Sequence, residues 1–433
     1  MSWMSAEAAF LPERDRLDAG DAGASVSPGV SILPEAQVDR CLRHVLLADI
    51  KSVGGAKGLW AKAARTLFPP DLPSWKTDAP EIAIDEDGVG LDSLARLSAA
   101  TAVSRFFDLG SVGLDDYLVL EPSLQGWCRL AARRLTPGGP EAVFNFQTSG
   151  SIDAPRVVAK RLPEMLDEVD ALISAGVAKG ARRAVSLVAP HHAYGFIFSV
   201  LLPGRAGLSV FDAALRSPGA TLEHLEDGDL LIGTPFHWEL LLAEHRSFPA
   251  GVRGVTSGAS MPPELWQRCL SAGLSGLIEV FGATETGGIG LRHVNDAPFD
   301  FLSHIEPGGG RPVYRRNGRP VPLQDLIVTC GDAAFRSGGR LDRAVQVAGV
   351  NVSLSRVCDV LRRSDYVSDA AVRPSGPRLK AFIVPTNPEV PHDVLHAALF
   401  DHVARALEPA ARPTEFAIGT LLPVNEMGKL ADW

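Results

Sequence analysis

The sequence predicts an α/β protein in three parts: a helical N-terminal region, a sheet-based core and a small α+β C-terminal unit. Three observations carry this expectation. Apolar residues recur at helical spacing up to about residue 135, short apolar runs alternate with helical stretches after residue 141, and 433 residues exceed one ordinary core.

Residues 1–34 are rich in Ala, Gly, Asp and Ser and are expected to form a flexible leader. From residue 38 to 50 the apolar positions Val38, Leu42, Val45 and Leu46 fall on one helical stripe. A Pro-rich break follows at residues 68–73. A second helix is expected to start near Asp92-Ser93-Leu94, with Leu97, Ala100, Val103, Phe106 and Phe107 on its stripe, and a third over 124–135. The run Thr136-Pro137-Gly138-Gly139-Pro140 reads as a linker, since consecutive Pro and Gly end regular structure.

Beyond it, segments 143–146, 184–188, 207–211, 230–232 and 277–281 read as buried strands. A further boundary is expected at Gly338-Gly339-Arg340. The divisions are therefore 1–34, 35–135, 141–338 and 339–433.

Composition excludes several classes. A net charge of −9 and the lack of a basic stripe argue against nucleic acid as a partner. The five cysteines are scattered, without metal-ligand spacing or a disulfide framework, which fits a reducing cytoplasm. The first thirty residues lack a signal-peptide pattern, and apolar runs such as 197–202 are too short to span a bilayer. A soluble cytoplasmic protein is expected.

Chemistry concentrates in four short segments. Thr148-Ser149-Gly150-Ser151-Ile152-Asp153-Ala154-Pro155-Arg156 follows a strand, and such a loop offers hydroxyls and backbone N–H groups to phosphate oxygens. Phe281-Gly282-Ala283-Thr284-Glu285 also follows a strand and places a ring, a hydroxyl and a carboxylate on one turn. Cys330-Gly331-Asp332 with Gly339-Arg340-Leu341-Asp342, and Met427-Gly428-Lys429, complete the set. Each has a plain alternative as a polar turn or a solvated charge.

In this order and at these separations the segments resemble the adenylate-forming superfamily of acyl-CoA synthetases, peptide-synthetase adenylation domains and luciferases. Its motifs read T-S-G-S-T-G-x-P-K, Y-G-x-T-E, T-G-D, G-R-x-D and N-G-K, and the resemblance covers residues 143–433. It implies ATP-dependent activation of a carboxylic acid to an acyl-adenylate, followed by transfer to a thiol of CoA or of a carrier protein's phosphopantetheine.

On that resemblance Thr148, Ser149, Gly150 and Ser151 cradle the β- and γ-phosphates. Phe281 stacks on adenine beside Gly258 and Ala259, Thr284 bonds the α-phosphate and Glu285 ligates Mg²⁺. Asp332 and Arg340 hold the ribose, Asp342 is the hinge of a C-terminal lid, and Lys429 bridges the acid and the α-phosphate. Pro190-His191-His192-Ala193-Tyr194-Gly195 resembles the P-x-x-H-x-x-G segment beside the acyl pocket, with His192 as its histidine and the proline one residue closer than in the family.

The nearest activities implied are those of 4-coumarate and other aryl-CoA ligases and acyl-carrier-protein ligases; Tyr194 favours an aromatic or medium-sized acid, and a fatty acid is compatible. Four departures stand out: Ile152, Asp153 and Arg156 replace threonine, glycine and lysine in the phosphate loop, and Cys330 replaces threonine beside Asp332. Asp153 brings a negative charge toward a polyphosphate, which Mg²⁺, Arg156 or Lys160 would have to offset. They leave open a second reading, a degenerate relative that binds nucleotide, acyl group or carrier without turnover.

The N-terminal region carries a separate resemblance. Gly90-Leu91-Asp92-Ser93-Leu94 matches the acyl carrier protein motif G-L-D-S-L, whose serine takes phosphopantetheine, and residues 35–135 have helices at plausible distances around it. The simpler alternative is that Asp92 or Ser93 caps an amphipathic helix.

Overall fold

The computed structural model describes residues 33–52, 57–69, 81–136, 141–147, 157–307, 313–315, 318–323, 325–340, 345–348, 350–423 and 433. The leader up to residue 32, most of the Pro-rich break and residues 137–140 of the linker lie outside the described residues.

The expected N-terminal stripe is buried. Helix α1 (Glu35–Ser52) covers Val38, Leu42, Val45 and Leu46, and α2 (Lys57–Leu67) packs beside it. Helix α3 (Ser93–Phe107) begins where Asp92 accepts the Ala95 N–H at 2.8 Å, satisfying one of the orphan donors of the first turn. It ends at Asp108 in the left-handed region. Helix α4 (Asp115–Leu120) leads into α5 (Leu124–Arg134), whose fully buried Trp127 donates its indole N–H to the Leu118 carbonyl at 3.0 Å.

These helices share one apolar core with the sheet region. Phe106 of α3 meets Phe144 of β1 (Val143–Gln147) and Phe196, and Phe107 meets Phe144, in edge-to-face contacts with centroids 5.8–6.0 Å apart. The same cluster reaches from Leu33 to Leu302.

Strand β1 pairs antiparallel with β2 (Val157–Arg161) as a two-stranded ribbon, and Gln147 opposite Val157 pins both ends of the phosphate-loop candidate. Helix α6 (Leu162–Ser174) follows. The main sheet is built from β3 (Arg183–Ser186), β4 (Ser209–Asp212), β5 (Asp229–Gly233), β6 (Arg253–Thr256), β7 (Gly276–Ala283), β8 (Gly287–Arg292) and β9 (Phe299–Phe301). The two-residue ribbon β10 (Ile305–Glu306) and β11 (Tyr314–Arg315) follows, then β12 (Asp325–Cys330) and β13 (Ala334–Arg340), which rejoin the sheet. Its order is β12-β13-β9-β8-β7-β6-β5-β3-β4, parallel from β4 to β7 and antiparallel from β7 to β12.

Helices α7 (Ala193–Phe196), α8 (Leu202–Ala206), α9 (Pro218–Glu223), α10 (Pro235–Ala243) and α11 (Pro263–Ser271) connect the parallel strands, as crossover geometry demands. A π turn (Ile197–Leu201) joins α7 to α8.

Strand β13 ends at Arg340, within the expected boundary Gly338-Gly339-Arg340. The strand runs through both glycines, and a Cβ on Gly338 would sit 2.8 Å from the Leu326 side chain of β12, so glycine here permits tight strand contact and makes no break.

The C-terminal unit has its own core. Hairpin β14 (Val345–Val347) and β15 (Val350–Val352), helix α12 (Leu354–Arg362), the sheet β16 (Val367–Ser375), β17 (Arg378–Pro385) and β18 (Pro413–Ile418), and helix α13 (His392–Ala406) bury Val357, Leu361, Ile383, Leu395 and Leu399 together. A separate apolar core of this size is what defines a small domain.

Candidate active site

Strand β7 delivers Phe281 at its end and turns through Thr284-Glu285-Thr286 into β8. Thr286 fixes this turn: its hydroxyl accepts the Ala283 N–H at 2.8 Å and donates toward the Gly287 carbonyl at 2.7 Å. Beside the turn lies a cavity of about 120 Å³. Thr284, Gly282, Gly258 and Ser257 line one side, Tyr194, Ile197 and Phe198 another, and Met165, Lys160 and Glu168 a third.

Each wall has a local cause. Ser257 donates to the Val280 carbonyl at 2.8 Å, which holds the β6 exit against β7, and Gly258 then takes φ +85, a left-handed backbone that glycine supplies without steric cost. The Tyr194 hydroxyl lies 2.9 Å from the Gly233 carbonyl and 3.1 Å from that of Val255, tying α7 to the ends of β5 and β6. Burial pushes its phenol well above the usual range, so it stays neutral.

The third wall is charged. Lys160 of β2 donates to the Glu285 carbonyl at 2.7 Å, and Glu168 of α6 accepts the Gly288 N–H at 2.7 Å. Both side chains are buried. Burial, only partly offset by Glu168, lowers Lys160 to about 8, and burial raises Glu168 above the usual carboxylate range.

The structure brings together Thr284, Glu285, Gly258 and the His192 segment. Ala259 follows Gly258 directly on the same exit from β6, and His192 is exposed at the N-cap of α7, next to the cavity-lining Ala193. Phe281 is half-buried and rests on Phe299 and Phe335, with centroids at 5.4 and 5.2 Å.

Asp332 is exposed on the turn between β12 and β13. Arg340 stands at the other end of that hairpin, opposite Asp325. The Arg340 side chain, Thr148, Ser149, Gly150, Ser151, Asp153, Arg156, Asp342 and Lys429 lie outside the described residues.

Ser93 is exposed at the first turn of α3, with Asp92, not Ser93, as the cap. Among the described residues no group of three His, Cys, Asp or Glu side chains is placed to hold a metal ion, and no helix is long and apolar enough to cross a membrane.

Sequence reasoning missed Glu168 and Arg315 and gave Lys160 only a compensating charge. A signal existed for Glu168: it shares the buried stripe of α6 with Met165, Val169 and Leu172, where a carboxylate is out of place.

The cavity lies at the carboxyl ends of the parallel strands β6 and β7, the place where open α/β sheets bind their ligands. Residues 140–333 match the AMP-binding enzyme family. The chain is 41% identical over 361 residues to a 4-coumarate–CoA ligase of Rhodobacter capsulatus, covering 81% of this chain and 91% of that one. It is 32% identical over 405 residues to a 4-coumarate–CoA ligase of Halorhodospira halophila, covering 91% and 98%. In fold it resembles the amide bond synthetase McbA of Marinactinospora thermotolerans, with a TM-score of 0.56 at 20% identity over 90% of this chain and 92% of the other. The chain belongs to the adenylate-forming, AMP-binding enzymes and is an AMP-forming acid–thiol ligase.

Proposed function

We propose that the protein converts a compact aryl acid of the 4-coumarate type to its CoA thioester through an acyl-adenylate. The observation that carries the substrate class is the cavity beside Thr284. Its volume of about 120 Å³ and its lining by Tyr194, Phe198, Ile197, Met165 and Val280 suit a planar ring better than a long alkyl chain. A cavity of roughly 150 Å³ admits benzene, so the scale is that of one aromatic ring. The named relatives, described as 4-coumarate–CoA ligases, support the same acid and the same thiol.

In the first half-reaction a carboxylate oxygen attacks the α-phosphorus and the bond to pyrophosphate breaks. Thr284 donates to the α-phosphate, Gly258 and Phe281 border the base, and Asp332 bonds the ribose. Thr148, Ser149, Gly150 and Ser151 take the leaving phosphates, and Lys429 offsets the charge of the two approaching anions.

Magnesium fits Glu285: no hydrogen bond to a described residue ties up its half-buried carboxylate, and this ion is commonly held by one or two carboxylates plus substrate phosphates. When bound, the metal neutralises phosphate charge. In the second half-reaction the thiol sulfur attacks the acyl carbon and AMP leaves, with Asp342 as the pivot of the C-terminal unit.

Free CoA is the acceptor in this reading, and Ser93 carries no pantetheine. What supports this is the packing of α1, α3 and α5 into the core of the sheet region, as expected of a part of the adenylation body. The test is thioester formation from ATP, CoA and a panel of cinnamic, benzoic and fatty acids, read by product mass, with intact-mass analysis of the protein. Aryl-CoA products and an unmodified chain are expected. Preference for long-chain acids overturns the substrate class, and a phosphopantetheine adduct on Ser93 overturns the free acceptor.

A further inference from the structure

Three charged side chains from three separate elements converge on the backbone of the turn that carries Thr284 and Glu285. Lys160 of β2 donates to the Glu285 carbonyl at 2.7 Å, Arg315 of β11 donates to the Thr286 carbonyl at 2.5 Å, and Glu168 of α6 accepts the Gly288 N–H at 2.7 Å. The turn answers in shape. Gly287 holds φ +72, and a Cβ there would meet the Glu168 carboxylate at 2.4 Å; one on Gly288 would meet it at 2.8 Å.

Lysine and glutamate are rarely buried, because removing a charge from water costs several kcal/mol unless partners compensate. Here Lys160 and Glu168 are 7% and 5% exposed, and both line the acyl cavity. Ordinary packing of a strand and a helix needs neither. Their polar atoms bind the main chain of one five-residue turn, whose side chains face the nucleotide and its metal in the reading above.

We infer that Lys160, Glu168 and Arg315 are positioning residues: a charged clamp that fixes the 284–288 turn so that Thr284 and Glu285 meet MgATP in register. The inference rests on the proposed roles of Thr284 and Glu285. The clamp touches no reacting atom. It acts by holding the main chain, and misplacement by about 1 Å far from the chemistry can cost on the order of 100-fold.

The clamp therefore serves adenylation more than thiol transfer, because ATP and magnesium are engaged only in the first step. Lys160→Met, Lys160→Arg and Arg315→Met proteins are compared with the unsubstituted enzyme in three assays. These are acid-dependent ATP–pyrophosphate exchange titrated with magnesium, transfer to CoA from chemically prepared acyl-adenylate, and MgATP binding by calorimetry. Lys160→Met is expected to lose about 100-fold in exchange, to need more magnesium for half-maximal rate and to bind MgATP more weakly, with a much smaller loss in transfer.

Lys160→Arg, which keeps a long cationic donor, is expected to recover much of the exchange. Arg315→Met, altered at a half-buried site, shows the same selectivity should Lys160→Met not fold. Equal losses in both half-reactions, or no change in the magnesium requirement, overturn the clamp. Exchange absent from the unsubstituted protein overturns the underlying reading instead, so the two failures are distinct.

Discussion

Arg40 on the first described helix meets Asp212 at the end of β4, with guanidinium and carboxylate 3.5 Å apart across 172 residues of chain. Arg40 is wholly buried and also donates to the Ser199 hydroxyl at 3.1 Å and to the Ser199 carbonyl. His44, one turn further along, reaches the same Asp212 oxygen at 2.8 Å. The N-terminal helices are thus tied to the sheet by a buried ionic knot as well as by apolar contact.

Removing one partner of such a pair strands the other. Asp212→Asn is expected to lower unfolding free energy by about 3–5 kcal/mol, measured by urea denaturation. Burial alone would raise the Asp212 carboxyl, but His44 and Arg40 together hold it far below the usual range. A depressed carboxylate contributes stability that is complete above its unfolded pKa and drains as pH falls through the folded one. The gap between native and variant should therefore stay level from neutral pH down to about 5 and narrow only below about 4.

Tyr194 gives a milder prediction. Its single O–H is shared between the carbonyls of Gly233 and Val255, so Tyr194→Phe removes the one donor between them at the cavity wall. A loss of about 1–2 kcal/mol in stability is expected, with a raised KM for the acid and little change in that for ATP. Steady-state kinetics with each substrate varied in turn decide it.

Much of the fold was legible. The stripe of Val38, Leu42, Val45 and Leu46 did become the buried face of α1, and the apolar run around Leu230 became a fully buried strand. Those signals are local periodicity, which burial on one face imposes directly. Strand β6 was missed because Arg253-Gly254-Val255-Thr256 has no apolar run, and its burial comes from flanking parallel strands. The expected strand start at Gly207 moved to Ser209, since Gly207 closes α8 at φ +70.

The site was legible where a motif is short and sits on one turn, as in Thr284-Glu285. It was not legible where the partners converge from afar, as Lys160 and Arg315 do. Asp332 stands on the turn of the β12–β13 hairpin and Arg340 at its far end, an arrangement that nearness in sequence does not show.

Gly282 tests the turn from the inside. A Cβ there would meet the Gly287 carbonyl oxygen at 2.3 Å, and that atom belongs to the main chain and cannot swing aside. Gly282→Ala is expected to cost roughly 1–3 kcal/mol from overpacking and to depress adenylation more than thermal stability. Melting temperature and exchange rate measured on one preparation separate the two effects.

In the proposed reading Lys429 acts by charge. Lys429→Ala is expected to lower adenylation by about 100- to 1000-fold, the scale of removing one preorganised donor, while ATP affinity measured by calorimetry persists. Loss of ATP binding without loss of turnover would assign the lysine to the ground state alone.

The most direct measurement is exchange of labelled pyrophosphate into ATP, with magnesium, in the presence and absence of 4-coumarate and other aryl acids. An adenylate-forming enzyme forms ATP reversibly from its acyl-adenylate, so label should enter ATP only when a suitable acid is present and before any thiol is added. Exchange with no acid-dependence, or none across the whole panel, would contradict the account.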